Sequence, residues 1–195
     1  MTAIDLLGIV IAVVLAGLVL LRIIPAARTY FLYRGNSLVN CPETRKTEAV
    51  DVAAATAAAS AFLGGRTLRL DRCSRWPERQ DCGQACLKQI VADPENCLVW
   101  NIVSNWYLGR SCVCCHKRFG ALHHLDHAPA LRREDHTTIE WDQIRPEQLP
   151  DIFSTSKPIC WNCHIVETFR RVHPELVVDR GREFVSMMWR DSRQQ

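Results

Sequence analysis

The chain has 195 residues, ten of them cysteine, and a formal net charge of +3. That length suits one small domain with attachments. A charge so small gives no electrostatic grip on a polyanion, so a nucleic-acid partner is not expected. No Ser–His–Asp set, phosphate-cradling loop or dinucleotide fingerprint is present. The hydrolase, NTPase and dehydrogenase classes built on those motifs are therefore left without support, and a non-enzyme is expected.

Ile4 to Ile24 reads IDLLGIVIAVVLAGLVLLRII, and Leu6 to Leu21 carries no polar side chain. About 20 apolar residues cross a bilayer as a helix, and Asp5 and Arg22 sit at the edges, where side chains reach the headgroups. The run is long for a signal peptide and lacks the basic start of one. Asn40 stands where a lipoprotein cysteine at 41 would need a small residue. Arg22, Arg28, Arg34, Arg45 and Lys46 follow the span and only Asp5 precedes it. That asymmetry predicts an inner (cytoplasmic) membrane protein with one span and its soluble domain on the cytoplasmic side.

The rest of the chain divides by composition. Residues 1–27 are the expected transmembrane anchor and 28–46 a juxtamembrane linker, with Tyr30, Phe31 and Tyr33 suited to the interface. Residues 47–109 read as a helical cysteine-rich part. Thr47 to Leu63 is alanine-rich and predicts a helix stopped by Gly64-Gly65. Arg66 to Leu70 alternates like a strand, Cys82 to Val91 reads as a helix, and so does Pro94 to Leu108. Residues 110–178 contain a turn at Ser111 to Phe119, a strand at Thr137 to Trp141, a short helix at Pro146 to Phe153 and an amphipathic helix after Pro158 with Ile165, Val166, Phe169 and Val172. Residues 179–195 form a tail in which Met187, Met188 and Trp189 are apolar. The expected class is α+β: a transmembrane helix followed by a small cysteine-rich domain with a metal module.

Cys112-Val-Cys-Cys115 and Cys160-Trp-Asn-Cys163 are paired CxxC motifs. Each such turn presents two sulfurs, and two turns complete the tetrahedron that zinc prefers. Cys112, Cys115, Cys160 and Cys163 are the expected metal ligands, with Zn2+ as the ion, in a zinc-ribbon or treble-clef-like module. Both motifs are followed by histidine, His116 and His164. The same residues therefore also satisfy the c-type haem pattern, in which Cys112, Cys115, Cys160 and Cys163 would hold two haems and His116 and His164 would be axial ligands.

The order CxxC, then Leu125-Asp126-His127-Ala-Pro129, then Cys160-Trp-Asn-Cys163-His164 resembles the zinc-stabilised branch of the HNH endonucleases over Cys112 to about Arg171. The resemblance implies a ββα unit in which Asp126 and His164 hold a divalent cation, His127 is the general base, and the four cysteines hold structural zinc. The Gly-rich turn and middle Asn of that family have no counterpart here.

Cys73, Cys82, Cys86 and Cys97 form a second candidate site for zinc or an iron–sulfur cluster, with Cys41 as a substitute for one of them. Taken together, the residues point to a membrane-anchored accessory or scaffolding subunit, braced by structural zinc, that docks on other membrane-protein subunits. Membrane-bound electron transfer and HNH-type hydrolysis are the alternatives.

Overall fold

The structure, a computed structural model, describes residues 3–76, 78–79 and 81–177. The expected tail lies outside them. Helix α1 (Ala3–Tyr33) is the long apolar element. From Leu7 onward it is long and apolar enough to cross a membrane, and none of its apolar window is covered by the rest of the protein. The helix does not end at residue 27. It runs on through Arg28 to Tyr33 and feeds strand β1 (Asn36–Asn40), so the expected linker is helix and strand instead.

Strand β1 pairs antiparallel with β2 (Thr47–Val52), with Leu38 opposite Ala49. The expected alanine helix therefore starts late: its first residues are a strand, and α2 is Ala54–Phe62. Gly64 stops α2 in the left-handed region, φ 84°, where its N–H bonds Ala61 O at 3.0 Å and the N–H of Gly65 bonds Ser60 O at 2.8 Å. Glycine carries no Cβ penalty in that conformation. Strand β3 (Leu70–Cys73) completes the sheet in the order β1-β2-β3, a few residues later than the alternation suggested.

Three short helices follow. Helix α3 is Leu87–Ala92, and Cys82 lies in irregular chain before it, so the helix expected from Cys82 starts only after Cys86. The Pro94–Leu108 helix is in fact two. Helix α4 (Pro94–Cys97) starts at Pro94 and is capped by Asp93, whose carboxylate accepts from Asn96 N. Leu98 then turns extended and bridges to Ser37 on β1, and α5 (Val99–Tyr107) begins anew.

The second half carries a smaller antiparallel sheet. Strand β4 (Ala130–Arg132) lies between β5 (Thr138–Glu140) and β6 (Lys157–Ile159), with Leu131 opposite both Ile139 and Pro158. Helix α6 (Leu149–Thr155) sits between β5 and β6, and helix α7 (Trp161–Val172) follows β6 directly.

One core joins the halves: Leu38, Val99, Val103, Tyr107, Leu131, Ile144 and Leu149. A second core holds Val39, Val50, Val52, Leu70, Cys86 and Ile90. Successive strand residues point to opposite faces. Leu38 and Val39 therefore serve different cores, and β1 is buried on both sides. Tyr107 is fully buried and its hydroxyl donates to Ala130 O at 2.9 Å, which fixes α5 to β4.

Candidate metal centre

The two CxxC turns converge. Cys112, Cys115, Cys160 and Cys163 have sulfurs that all lie within 4.8 Å of one another, and no disulfide joins any cysteine in the described residues. A tetrahedral ion with metal–sulfur bonds of about 2.3 Å places its sulfurs about 3.8 Å apart, and the Cys115 and Cys160 sulfurs are 3.7 Å apart. The donor set and its spacing fit a divalent metal ion.

Local chain geometry produces this arrangement. Gly109 to Phe119 is a tight hairpin: Phe119 N bonds Arg110 O at 2.9 Å and Cys112 N bonds Lys117 O at 2.9 Å. His116 takes a left-handed conformation, φ 60°, at the turn after Cys115. The hairpin docks on β6 through Val113 N to Pro158 O at 2.9 Å. Cys160 is the residue before α7, and Cys163 lies in the first turn of that helix. The Cys160 N–H points at the Cys112 sulfur, 3.3 Å away.

The electrostatics fit a cation as well. Burial opposes ionisation of Cys112. The backbone N–H groups of Cys115, Cys160 and Cys114 and the Cys115 thiol outweigh it and hold the Cys112 thiol down to about 6. Burial, with the thiols of Cys160, Cys115 and Cys112, pushes Cys163 far above the usual thiol range. Burial and the Cys115 and Cys112 thiols push Cys160 up too. Four thiolates this close repel one another, and a divalent cation at their centre removes the repulsion. Cys114 stands outside the quartet, with its sulfur 3.9 Å from an Arg132 guanidinium nitrogen.

The haem assignment meets a geometric obstacle. Two haems would need the motifs apart, whereas both motifs share one point. His164 is buried, and both its ring nitrogens face β5: Nδ1 is 2.8 Å from Thr138 Oγ1 and Nε2 is 3.5 Å from Glu140 Oε1. His116 is exposed.

The HNH-like residues are placed differently from the carried-over pattern. Asp126 and His127 lie in an exposed loop, and the His127 ring stacks on Trp161 at 4.0 Å and 12°. They line a cleft of about 310 Å³ with His123, His124, Glu140 and Trp141. His164 partners Glu140 rather than Asp126, and these groups do not form a ligand cluster like that of the cysteines. Glu140 and Thr138 were not singled out from the sequence. Their two-residue spacing in a strand puts both on one face, which was the available signal. Cys97 also stands apart. It packs at the edge of the second core, where burial and the nearby Asp93 charge push its thiol up.

No family model, curated protein or solved structure matches this chain.

Proposed function

We propose that this chain is a membrane-anchored accessory or scaffolding subunit whose soluble domain is braced by one structural zinc ion at Cys112, Cys115, Cys160 and Cys163, in a module of treble-clef type. The observation that carries the reading is the convergence of two CxxC turns, one in a hairpin and one at the start of a helix, on a single four-sulfur point. A closed set of four thiolates leaves no open coordination position for substrate, so such an ion stabilises the fold rather than catalyses. α1 is the anchor, with the domain on the cytoplasmic side, as the basic residues after the span favour.

The docking role draws on a second observation. Ile165, Val166, Phe169 and Val172 on α7 are each more than 40% exposed, although their spacing is that of a buried helix face. A contiguous apolar stripe on the surface marks an interaction site, and a membrane-protein subunit beside α1 is its partner. A photo-crosslinking residue at Phe169 in native membranes should capture an integral membrane protein. Capture of lipid alone, or of nothing, contradicts the docking role.

A second reading is kept by the cleft that holds Asp126, His127 and Glu140 beside the β4–β5–α7 unit. It makes the domain a divalent-metal phosphodiesterase of HNH type. A nuclease assay with Mg2+ or Mn2+ on wild type and His127→Ala decides it: cleavage lost in the variant supports this reading, and no cleavage by wild type removes it.

A further inference from the structure

The zinc site proposed above uses four of the ten cysteines. Four others are carried by chain around the first sheet, and none forms a disulfide.

Each comes from a different piece of chain. Cys41 directly follows β1 and opens a tight turn closed by Cys41 N to Lys46 O at 2.8 Å and Arg45 N to Cys41 O at 2.7 Å. Cys73 ends β3, in register with Val50, and opens another turn through Trp76 N to Cys73 O at 3.0 Å. Cys86 is the residue before α3, and Cys82 lies four residues earlier in chain that forms no helix or strand.

Named hydrogen bonds draw these pieces together. Gln89 brackets the Asn40 backbone: its side chain accepts from Asn40 N at 3.0 Å and donates to Asn40 O at 2.7 Å. Gln89 is three residues after Cys86, hence on the same side of the helix, and Asn40 precedes Cys41. Leu70 N donates to Gln84 Oε1 at 2.9 Å, which holds the Cys82–Cys86 segment on β3. Arg75, two residues after Cys73, places a guanidinium nitrogen 3.5 Å from the Cys41 sulfur and 2.7 Å from Glu43. Cys86 and Cys73 belong to the same apolar core.

We infer that Cys41, Cys73, Cys82 and Cys86 form a second four-thiolate site for zinc, which ties β1, β3 and α3 into one unit. Cys97, the fourth member of the sequence-based group, is replaced by Cys41.

The surroundings match those of the first quartet. Burial of Cys41 is outweighed by the Thr44 hydroxyl, the backbone N–H groups of Thr44 and Glu43, and Arg75, which together lower its thiol as the backbone lowers Cys112. Burial raises Cys86, and the neighbouring Cys73, Cys82 and Cys41 thiols add to it. These four sulfurs do not converge as the first quartet does, so the segments that carry them have to draw together to close on an ion.

The test is elemental analysis of the full chain purified in detergent, under non-oxidising conditions. Wild type should carry about two zinc ions per chain, falling to about one in Cys41→Ser/Cys82→Ser, which alters the two thiols outside the buried core. Cys97→Ser should retain both ions, and Cys115→Ser/Cys163→Ser should lose the other one. Wild type with one ion, unaffected by Cys41→Ser/Cys82→Ser, overturns the second site while leaving the first intact. A single ion lost only in Cys41→Ser/Cys82→Ser overturns the first site and supports the second. An intact mass of wild type lower by one or two disulfides, with Cys41 or Cys73 in the bridge, overturns the second site as well.

Discussion

Individual side chains divide the work at the metal centre. Cys112 is fully buried and is the thiol most inclined to ionise, because three backbone N–H groups converge on it. Cys112→Ser removes both a ligand and the acceptor for the Cys160 N–H, and should abolish metal retention. Metal analysis of the purified variant checks this. The pH dependence follows with a definite sign. Protons compete with the ion for thiolates. In the metal-free domain the depressed Cys112 thiol contributes stability that is full above the ordinary value of 9.0 and is gone below about 6. Acidification through that range should therefore lower the melting temperature of the metal-free domain, and the bound ion should be released only at lower pH, where protons outcompete it for the thiolates; stability of the metal-free domain that rises on acidification would contradict the assignment. Tyr107 has a separate role. Burial pushes its hydroxyl far above the usual phenol range, so it stays a neutral donor to Ala130 O. Tyr107→Phe should cost about 1 kcal/mol of stability in denaturant melts and leave the metal content unchanged.

The outcome at the level of elements shows where sequence patterns carry and where they do not. Both CxxC turns, the Gly64 stop of α2, β5 and the helix after Cys163 were legible, because each rests on local chemistry: ligand spacing, a left-handed glycine or two-residue alternation. Strand β1 was not legible. Ser37, Leu38 and Val39 are all buried, so the strand shows no alternation, and its place in a sheet depends on distant β2. Strand β2 was absorbed into the alanine run because TEAVDV joins it without a glycine or proline. The break at Leu98 comes from a bridge to Ser37, a tertiary contact that no local signal announces. For the same reason the sequence left Cys41 only as a substitute for one of Cys73, Cys82, Cys86 and Cys97: the hydrogen bonds of Gln89 to Asn40, which bring the chain before Cys41 against α3, join distant segments. The glycine stop gives a direct test. Gly64→Ala places a Cβ at φ 84° and should cost about 1–2 kcal/mol, seen as a lowered denaturation midpoint with the metal content unchanged.

For the whole molecule, a bare apolar helix leads into a domain with modest cores and, among the described residues, one converged four-thiol cluster. A metal ion held by that cluster would supply part of the folding free energy. Chelation at neutral pH should therefore unfold the domain, monitored by tryptophan fluorescence, and excess zinc should restore it. The anchor has its own test. Wild-type protein should remain in the membrane after carbonate extraction, and removal of the apolar run should shift it to the soluble fraction. Release of the wild type by carbonate would contradict the transmembrane role of α1.

The most direct measurement of the central claim is elemental analysis with a visible spectrum on one detergent-purified sample, wild type beside Cys112→Ser/Cys163→Ser. The account predicts zinc in the wild type, less zinc in the variant, and no absorption beyond the aromatic band in either. Iron with a Soret band in the wild type, or zinc undiminished in the variant, would contradict a structural zinc site at Cys112, Cys115, Cys160 and Cys163.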